Sequence, residues 1–284
     1  MKATPGATII PSAMPSSRPL PASLGSLRLD RLGSATLERL TRAPEAAGRV
    51  HSVFDQAINV LWVDGRLLTL HGPTPLAAPF AVALAELPQR GAVVPRLPIR
   101  RSDFDLSKAD SVALEMPRGP LAFTPDAMPE PPCARALRSG AGLGARQALE
   151  RGMAAGDLVT LAKAASDLIG LGEGLTPAGD DCVLGALAAI HRLAPEWLTS
   201  DRSLLHRLAE AARSRTTDVA RDFLLEALDG RFAEPVLALL TASSAGLAEH
   251  AARELLAMGA TSGADTLCGI RLGCRALETR VVSR

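Results

Sequence analysis

The stretch TPDAMPEPPC, residues 124–133, holds four prolines in ten residues and separates two sequences of different character. Each proline removes a backbone donor and fixes φ, so neither a regular helix nor a central strand can run through it. Ahead of it lie short apolar runs broken by Pro and Gly. Behind it, from Ala134 onward, Ala and Leu recur with helical spacing. This predicts an α+β protein in which a β-rich N-terminal part is packed on a mostly helical C-terminal part. The expected division is a Pro/Ser/Ala-rich disordered tail at 1–26, a β-rich domain at 27–130 and a helical domain at 131–284.

In the front part the clearest signal is VHSVFDQAINVLWVDGRLLTL, residues 50–70. Asp64 and Gly65 sit between two apolar, β-prone runs, and an Asp-Gly pair there favours a hairpin because its turn needs positive φ. Residues 26–45 read as a strand or short helix followed by a turn. Further extended pieces are expected at 92–100, where Pro95 and Pro98 restrict the run to a sheet edge, and at 111–115. A short helix is expected at 78–87. In the back part, helices are expected at 145–169, 177–193, 203–213, 217–229, 234–242, 245–258 and 263–279.

Charge is balanced, with 31 basic and 30 acidic residues, and no long basic run is interleaved with aromatics. Nucleic-acid binding has no support in such a sequence, and Arg100, Arg101, Arg213 and Arg215 read as solvated charges. No apolar run approaches a membrane span. The four cysteines form no C-x-x-C pair. With apolar neighbours, they suggest buried, reduced thiols and a cytoplasmic location. The first 26 residues carry five prolines and lack the apolar centre of a secretory signal.

The chemistry concentrates at GEGLTPAGDD, residues 172–181. Thr176 suits a helix N-cap and Pro177 the first helical position. Gly172, Gly174 and Gly179 allow tight backbone and close ligand approach. The first amides of such a helix, with its dipole, attract a phosphate or carboxylate. Asp180 and Asp181 are neighbours that point about 100° apart on a helix. One can serve the helix start while the other faces a pocket, binding a substrate amide, holding a divalent cation or accepting a proton.

A second stretch, GATSGADTLCG at 259–269, aligns without gaps on 174–184. Gly174 falls on Gly259, Thr176 on Thr261 and Asp180 on Asp265. Two helix starts converging on one site would bring Asp265, Thr261, Ser262 and Gly263 beside the first motif. A third capped start is RSRTTDVARD at 213–222, where Thr216 or Thr217 suits the cap and Arg215 is a candidate carboxylate or phosphate ligand. In the front part His51 and Ser52 are adjacent. On a regular strand they point to opposite faces, so His51 is expected to be a polar pocket group or a satisfied strand residue rather than part of a nucleophilic dyad. The other histidines show no metal spacing, and neither a P-loop nor a dinucleotide fingerprint is present.

Taken in order, HSVFDQAINV at 51–60, GLGEGLTPAGDD at 170–181, RTTDVARDFLLEALDG at 215–230 and GATSGADTLCGI at 259–270 resemble a bacterial family, formerly a domain of unknown function. That family includes the AllH-type smallest subunit of oxamate carbamoyltransferase, and the resemblance spans about residues 30–280. It implies a subunit, working with two larger partner subunits, of an enzyme that interconverts oxalurate plus phosphate with oxamate plus carbamoyl phosphate. The setting it implies is purine or allantoin breakdown. Asp180, Asp181 and Asp265 are then the candidate catalytic residues. Gly172, Gly174, Thr176, Gly179, Thr261, Ser262, Gly263, Arg215, Thr217, His51 and Ser52 are candidate contacts to a small carboxylate or phosphate substrate. The alternative is a non-catalytic anion-binding or scaffolding subunit of a metabolic complex.

Overall fold

Gly65 adopts φ 77° in the turn between β3 (Ala57–Trp62) and β4 (Leu67–His71), the positive φ that the Asp-Gly pair announces. In this computed structural model the described residues are 27–73, 75–88, 93, 96–200 and 202–282. The 1–26 tail and Pro95 lie outside them. The chain forms two compact units divided between Ala113 and Leu114. The boundary expected at 130/131 lies inside the second unit, ahead of its helices.

The first unit opens with β1 (Leu27–Gly33) and α1 (Ser34–Arg42), so the 26–45 segment holds both a strand and a helix. The remaining strands are β2 (Ala47–Val53), β5 (Ala81–Leu84), β6 (Pro98–Arg100), β7 (Phe104–Asp105) and β8 (Asp110–Val112). They form one mixed sheet in the order β6-β2-β3-β4-β5-β1-β7, with β8 also paired to β1. β6, which starts on Pro98, is at the edge, as its proline requires.

The helix expected at 78–87 is instead β5, parallel to β4 and antiparallel to β1. All four of its residues are buried. A short apolar run covered on both faces carries no alternation, so its sequence does not distinguish it from a buried helix. Leu29, Leu32, Val60, Leu70, Val82 and Ile99 fill the core of this unit. From α1, Arg39 sets its guanidinium fork on Asp64, with Nε–Oδ2 and Nη2–Oδ1 both at 2.6 Å. The same side chain donates to the carbonyls of Arg66 and Leu67, so one arginine ties α1 to the hairpin turn.

The second unit is helical. Its helices are α2 (Arg135–Arg138), α3 (Gly140–Ala155), α4 (Leu158–Leu168), α5 (Ala178–Leu193), α6 (Glu196–Ser200), α7 (Arg202–Arg215), α8 (Asp218–Leu228), α9 (Glu234–Leu240), α10 (Ala245–Leu256) and α11 (Ser262–Val282). The single helix expected at 145–169 is broken. Gly156 ends α3 in the left-handed region at φ 69°, and Asp157 caps α4 by accepting from the amides of Val159 and Thr160.

α5 is the centre of this unit. Every residue from Ala178 to Ile190 is buried, the mark of a helix covered on all sides. α11 lies directly on it. A Cβ on Gly269 would meet the Cys182 carbonyl at 1.9 Å, and one on Gly185 would meet the Thr266 carbonyl at 2.1 Å. Farther along, a Cβ on Gly273 would stand 2.6 Å from Ala189. The contacts advance together, from Cys182 with Gly269 to Ala189 with Gly273, so the two helices run in the same sense. Their N-termini therefore sit side by side.

Candidate functional site

Parallel α5 and α11 bring the two aligned motifs together. Thr176 Oγ1 and Ser262 Oγ lie 2.6 Å apart. The expected cap is not made this way: Pro177 occupies the N-cap position of α5 without a side-chain cap, and the Thr176 hydroxyl turns to α11 instead. Nor are the first amides of α5 free for an anion. Gly179 N donates to the Leu171 carbonyl at 2.8 Å, and the amides of Asp180 and Asp181 donate to Pro177 O at 2.9 and 3.2 Å. The glycine turn before them is open: Gly172 and Gly174 are exposed, with φ of 123° and 92°.

The three candidate carboxylates divide into two settings. Asp180 is 2% exposed and turns toward the start of α8, where Thr216 Oγ1 donates to its Oδ2 at 2.9 Å. The Gly170 amide donates to the same carboxylate at 3.2 Å. Burial raises this carboxyl to about 6, against the opposing pull of those two donors. Thr217 caps α8 by accepting from Ala220 N at 3.1 Å, and its own hydroxyl donates to the Leu175 carbonyl. The expected cap is present and holds α8 to the glycine turn.

Asp181 and Asp265 form the second setting, 7% and 0% exposed. Burial pushes the Asp181 carboxyl well above the usual carboxylate range. The charges of Asp265 and Asp180 push it further, while Ser262 and Thr176 oppose the shift. Asp265 is also raised by burial, opposed by the Ala134 amide, which donates to Oδ1 at 2.7 Å, and by Thr261. One oxygen of each acid, Asp181 Oδ2 and Asp265 Oδ2, is buried with no hydrogen-bond partner among the described residues. Two neighbouring acids whose ionisation is disfavoured, each with a spare acceptor, can hold a proton or receive an amide N–H. Among the described residues no group of three or more His, Cys, Asp or Glu is placed to hold a metal ion.

The remaining candidates take other places. Gly179 and Gly263 are packing positions: a Cβ on either would lie within 2 Å of a carbonyl oxygen, Leu168 O or Leu255 O. Arg215 is exposed and donates to the Ser166 carbonyl at 2.6 Å. His51 and Ser52 lie on β2 of the first unit, and the expectation that their side chains diverge is not met. A bulge against β3 falls between Val50 and Ser52, and His51 Nδ1 is 3.2 Å from Ser52 Oγ. Ser52 Oγ also accepts from Asn59 Nδ2 at 3.1 Å, and Asn59 Oδ1 accepts from Thr69 Oγ1 at 2.7 Å. Asn59 and Thr69 escaped sequence reasoning; only their position opposite each other across the hairpin reveals the chain of bonds.

The chain is thus an α+β protein with a strand-rich front and two parallel helix starts that bury a pair of carboxylates. Residues 168–274 match the family model described as oxamate carbamoyltransferase subunit AllH, and residues 26–116 match the AllH family N-terminal domain. The chain belongs to the AllH family. No solved structure matches it. The first match encloses Asp180, Asp181 and Asp265, the whole of α5 and α11 as far as Cys274. Among the described residues no helix is long and apolar enough to cross a membrane. The four cysteines are free and buried.

Proposed function

We propose that the chain is the AllH-type subunit of a cytoplasmic carbamoyltransferase that joins oxamate and carbamoyl phosphate to give oxalurate and phosphate, and the reverse. The observation that carries this reading is the family match over 168–274, which contains all three buried acids. Two larger subunits complete the enzyme, and its setting is purine or allantoin breakdown.

In the forward direction the oxamate amide nitrogen attacks the carbamoyl carbon. A C–N bond forms, the C–O bond to phosphate breaks, and the nitrogen must lose a proton. Asp181 suits that proton: its Oδ2 is buried without a hydrogen-bond partner among the described residues, and burial makes it a better base than an ordinary carboxylate. Asp265 beside it shares the charge, and Thr176, Ser262 and Thr261 orient the pair. Gly172 and Gly174 provide the open approach, and Asp180 with Thr216 and Thr217 fixes the turn that carries them.

The test is turnover of oxamate and carbamoyl phosphate by the assembled subunits with Asp181→Asn or Asp265→Asn in this chain. Loss of turnover in a folded, assembled variant supports the reading; full turnover in both removes the acids from the chemistry. The near-complete burial of Asp180 and Asp265 favours a second reading, a scaffolding or anion-binding subunit. That reading predicts ligand binding without any effect of the same variants on turnover.

A further inference from the structure

One turn beyond Asp265, α11 presents Cys268, Arg271, Leu272 and Arg275 on a single face, at i, i+3, i+4 and i+7. These residues line a cavity of about 70 Å³ in the second unit, closed by Arg146 and Glu150 of α3 and by Glu130. With roughly 10–15 Å³ needed per water-sized group, the space suits about five to seven non-hydrogen atoms. That is the size of phosphate or of a small carboxylate.

The lining is built around guanidinium groups with unused donors. Arg271 is only 6% exposed, and arginine is rarely buried without full pairing. Among the described residues its ion pair is with Glu130, Nη1–Oε2 at 2.6 Å, and that glutamate side chain is itself 77% exposed. Arg271 Nε is buried and finds no acceptor among the described residues, and neither does Nε of Arg146. Among the described residues the hydrogen bond of Arg146 goes to a soft acceptor, Cys268 Sγ, at 3.9 Å from Nη1. Arg275, by contrast, is already engaged, its Nε and Nη2 both donating to Asp126 Oδ1. Two guanidinium groups on facing helices, one buried and one half-buried, each keep an unfilled donor that an oxyanion would complete, with Glu130 and Glu150 at the rim of the same cavity.

We infer that Arg146 and Arg271 form a binding site for a small oxyanion, a phosphate or the carboxylate of a small acid, in the cavity between α3 and α11. The choice of probes rests on the function proposed above; the site rests on the cavity and its arginines. The experiment is calorimetry on the full chain without partner subunits, at constant ionic strength, with inorganic phosphate in one arm and oxamate in the other. Saturable binding of either is expected, the stronger arm identifying the group. Arg271→Gln and the half-buried Arg146→Gln are each expected to weaken it by about tenfold or more, the loss of a hydrogen bond to a charged group.

Absence of binding in both arms for the unaltered chain overturns the site. So does unchanged affinity in a folded Arg146→Gln chain, whatever happens to the more buried Arg271. Turnover by the assembled enzyme is a separate readout. Binding here without turnover supports the site and counts against the proposed reaction. Turnover without binding in the isolated chain does the reverse.

Discussion

Thr176 and Ser262, 86 residues apart, share a 2.6 Å hydrogen bond between their hydroxyl oxygens. The bond exists because α5 and α11 run in the same sense in close contact through Gly185 and Gly269. Parallel packing places two positive helix ends at one point, the place where Asp181 and Asp265 are buried. The dipoles partly offset the desolvation of these acids, and the hydroxyl pair supplies the polar contacts that burial removes.

Ser262→Ala removes a hydroxyl that stabilises ionised Asp181. The Asp181 carboxyl is then expected to titrate at still higher pH than in the unaltered chain. Carbon-13 NMR of labelled aspartate, followed against pH, reads this directly. A shift to lower pH would show that Ser262 does not act on the ionised form.

Asp181→Asn keeps the shape of the side chain and removes a charge that burial penalises. Stability near neutral pH is expected to hold or rise, by urea denaturation. Turnover by the assembled enzyme is expected to fall by about a hundredfold or more, the scale of a lost acid–base group. A stable variant with full turnover would assign Asp181 to structure alone.

Asp180 makes stability depend on pH with a defined sign. Its carboxyl is raised to about 6 in the folded chain from 3.8. Below 3.8 the proton is bound in both states and there is no penalty. Between 3.8 and about 6 the folded state holds more protons than the unfolded one, so stability falls as pH rises. Above that window the loss is constant, roughly 3 kcal/mol at 1.36 kcal/mol per unit. Asp180→Asn removes this dependence. Urea midpoints for the variant and the unaltered chain, compared at pH 4 and pH 7.5, are expected to shift in the variant's favour at the higher pH. A difference that does not change with pH would refute the assignment.

What the sequence makes legible follows from how local each feature is. The Asp64–Gly65 turn and the capped start of α8 are set by a few neighbouring residues, and they fold as read; α5 starts within a residue of its expected place, but Thr176 is drawn away from the cap by Ser262, a partner that is not local. The break at Gly156–Asp157 was just as local, but the apolar spacing runs through it and masked the two capping residues. β5 was hidden for a different reason: the composition of APFAVALAEL, residues 78–87, suits a helix until neighbouring strands cover both its faces. The aligned Gly-Thr-Asp motifs pointed to two convergent helix starts. They could not show that Asp181, rather than Asp180, faces Asp265, because that depends on how α5 is rotated against α11. The bulge that turns His51 toward Ser52 is likewise a property of the pairing between β2 and β3.

The glycine seam between α5 and α11 gives the most direct test of the architecture. In Gly269→Ala the new Cβ would meet the Cys182 carbonyl at 1.9 Å and Ala186 N at 3.0 Å, so the helices must separate. Overpacking of this kind costs about 1–3 kcal/mol. The separation also pulls Ser262 from Thr176, so turnover of the assembled enzyme is expected to fall along with stability. Gly246 of α10 is the matched control. Nothing lies within 4 Å of a Cβ built there, and its helical backbone suits alanine. Gly246→Ala is expected to stabilise by about 0.4–1 kcal/mol by restricting the unfolded chain. Thermal unfolding of the two variants beside the unaltered chain should move in opposite directions. A neutral Gly269→Ala would mean that α5 and α11 are not in contact at Cys182, and the convergence of their N-termini would lose its physical basis.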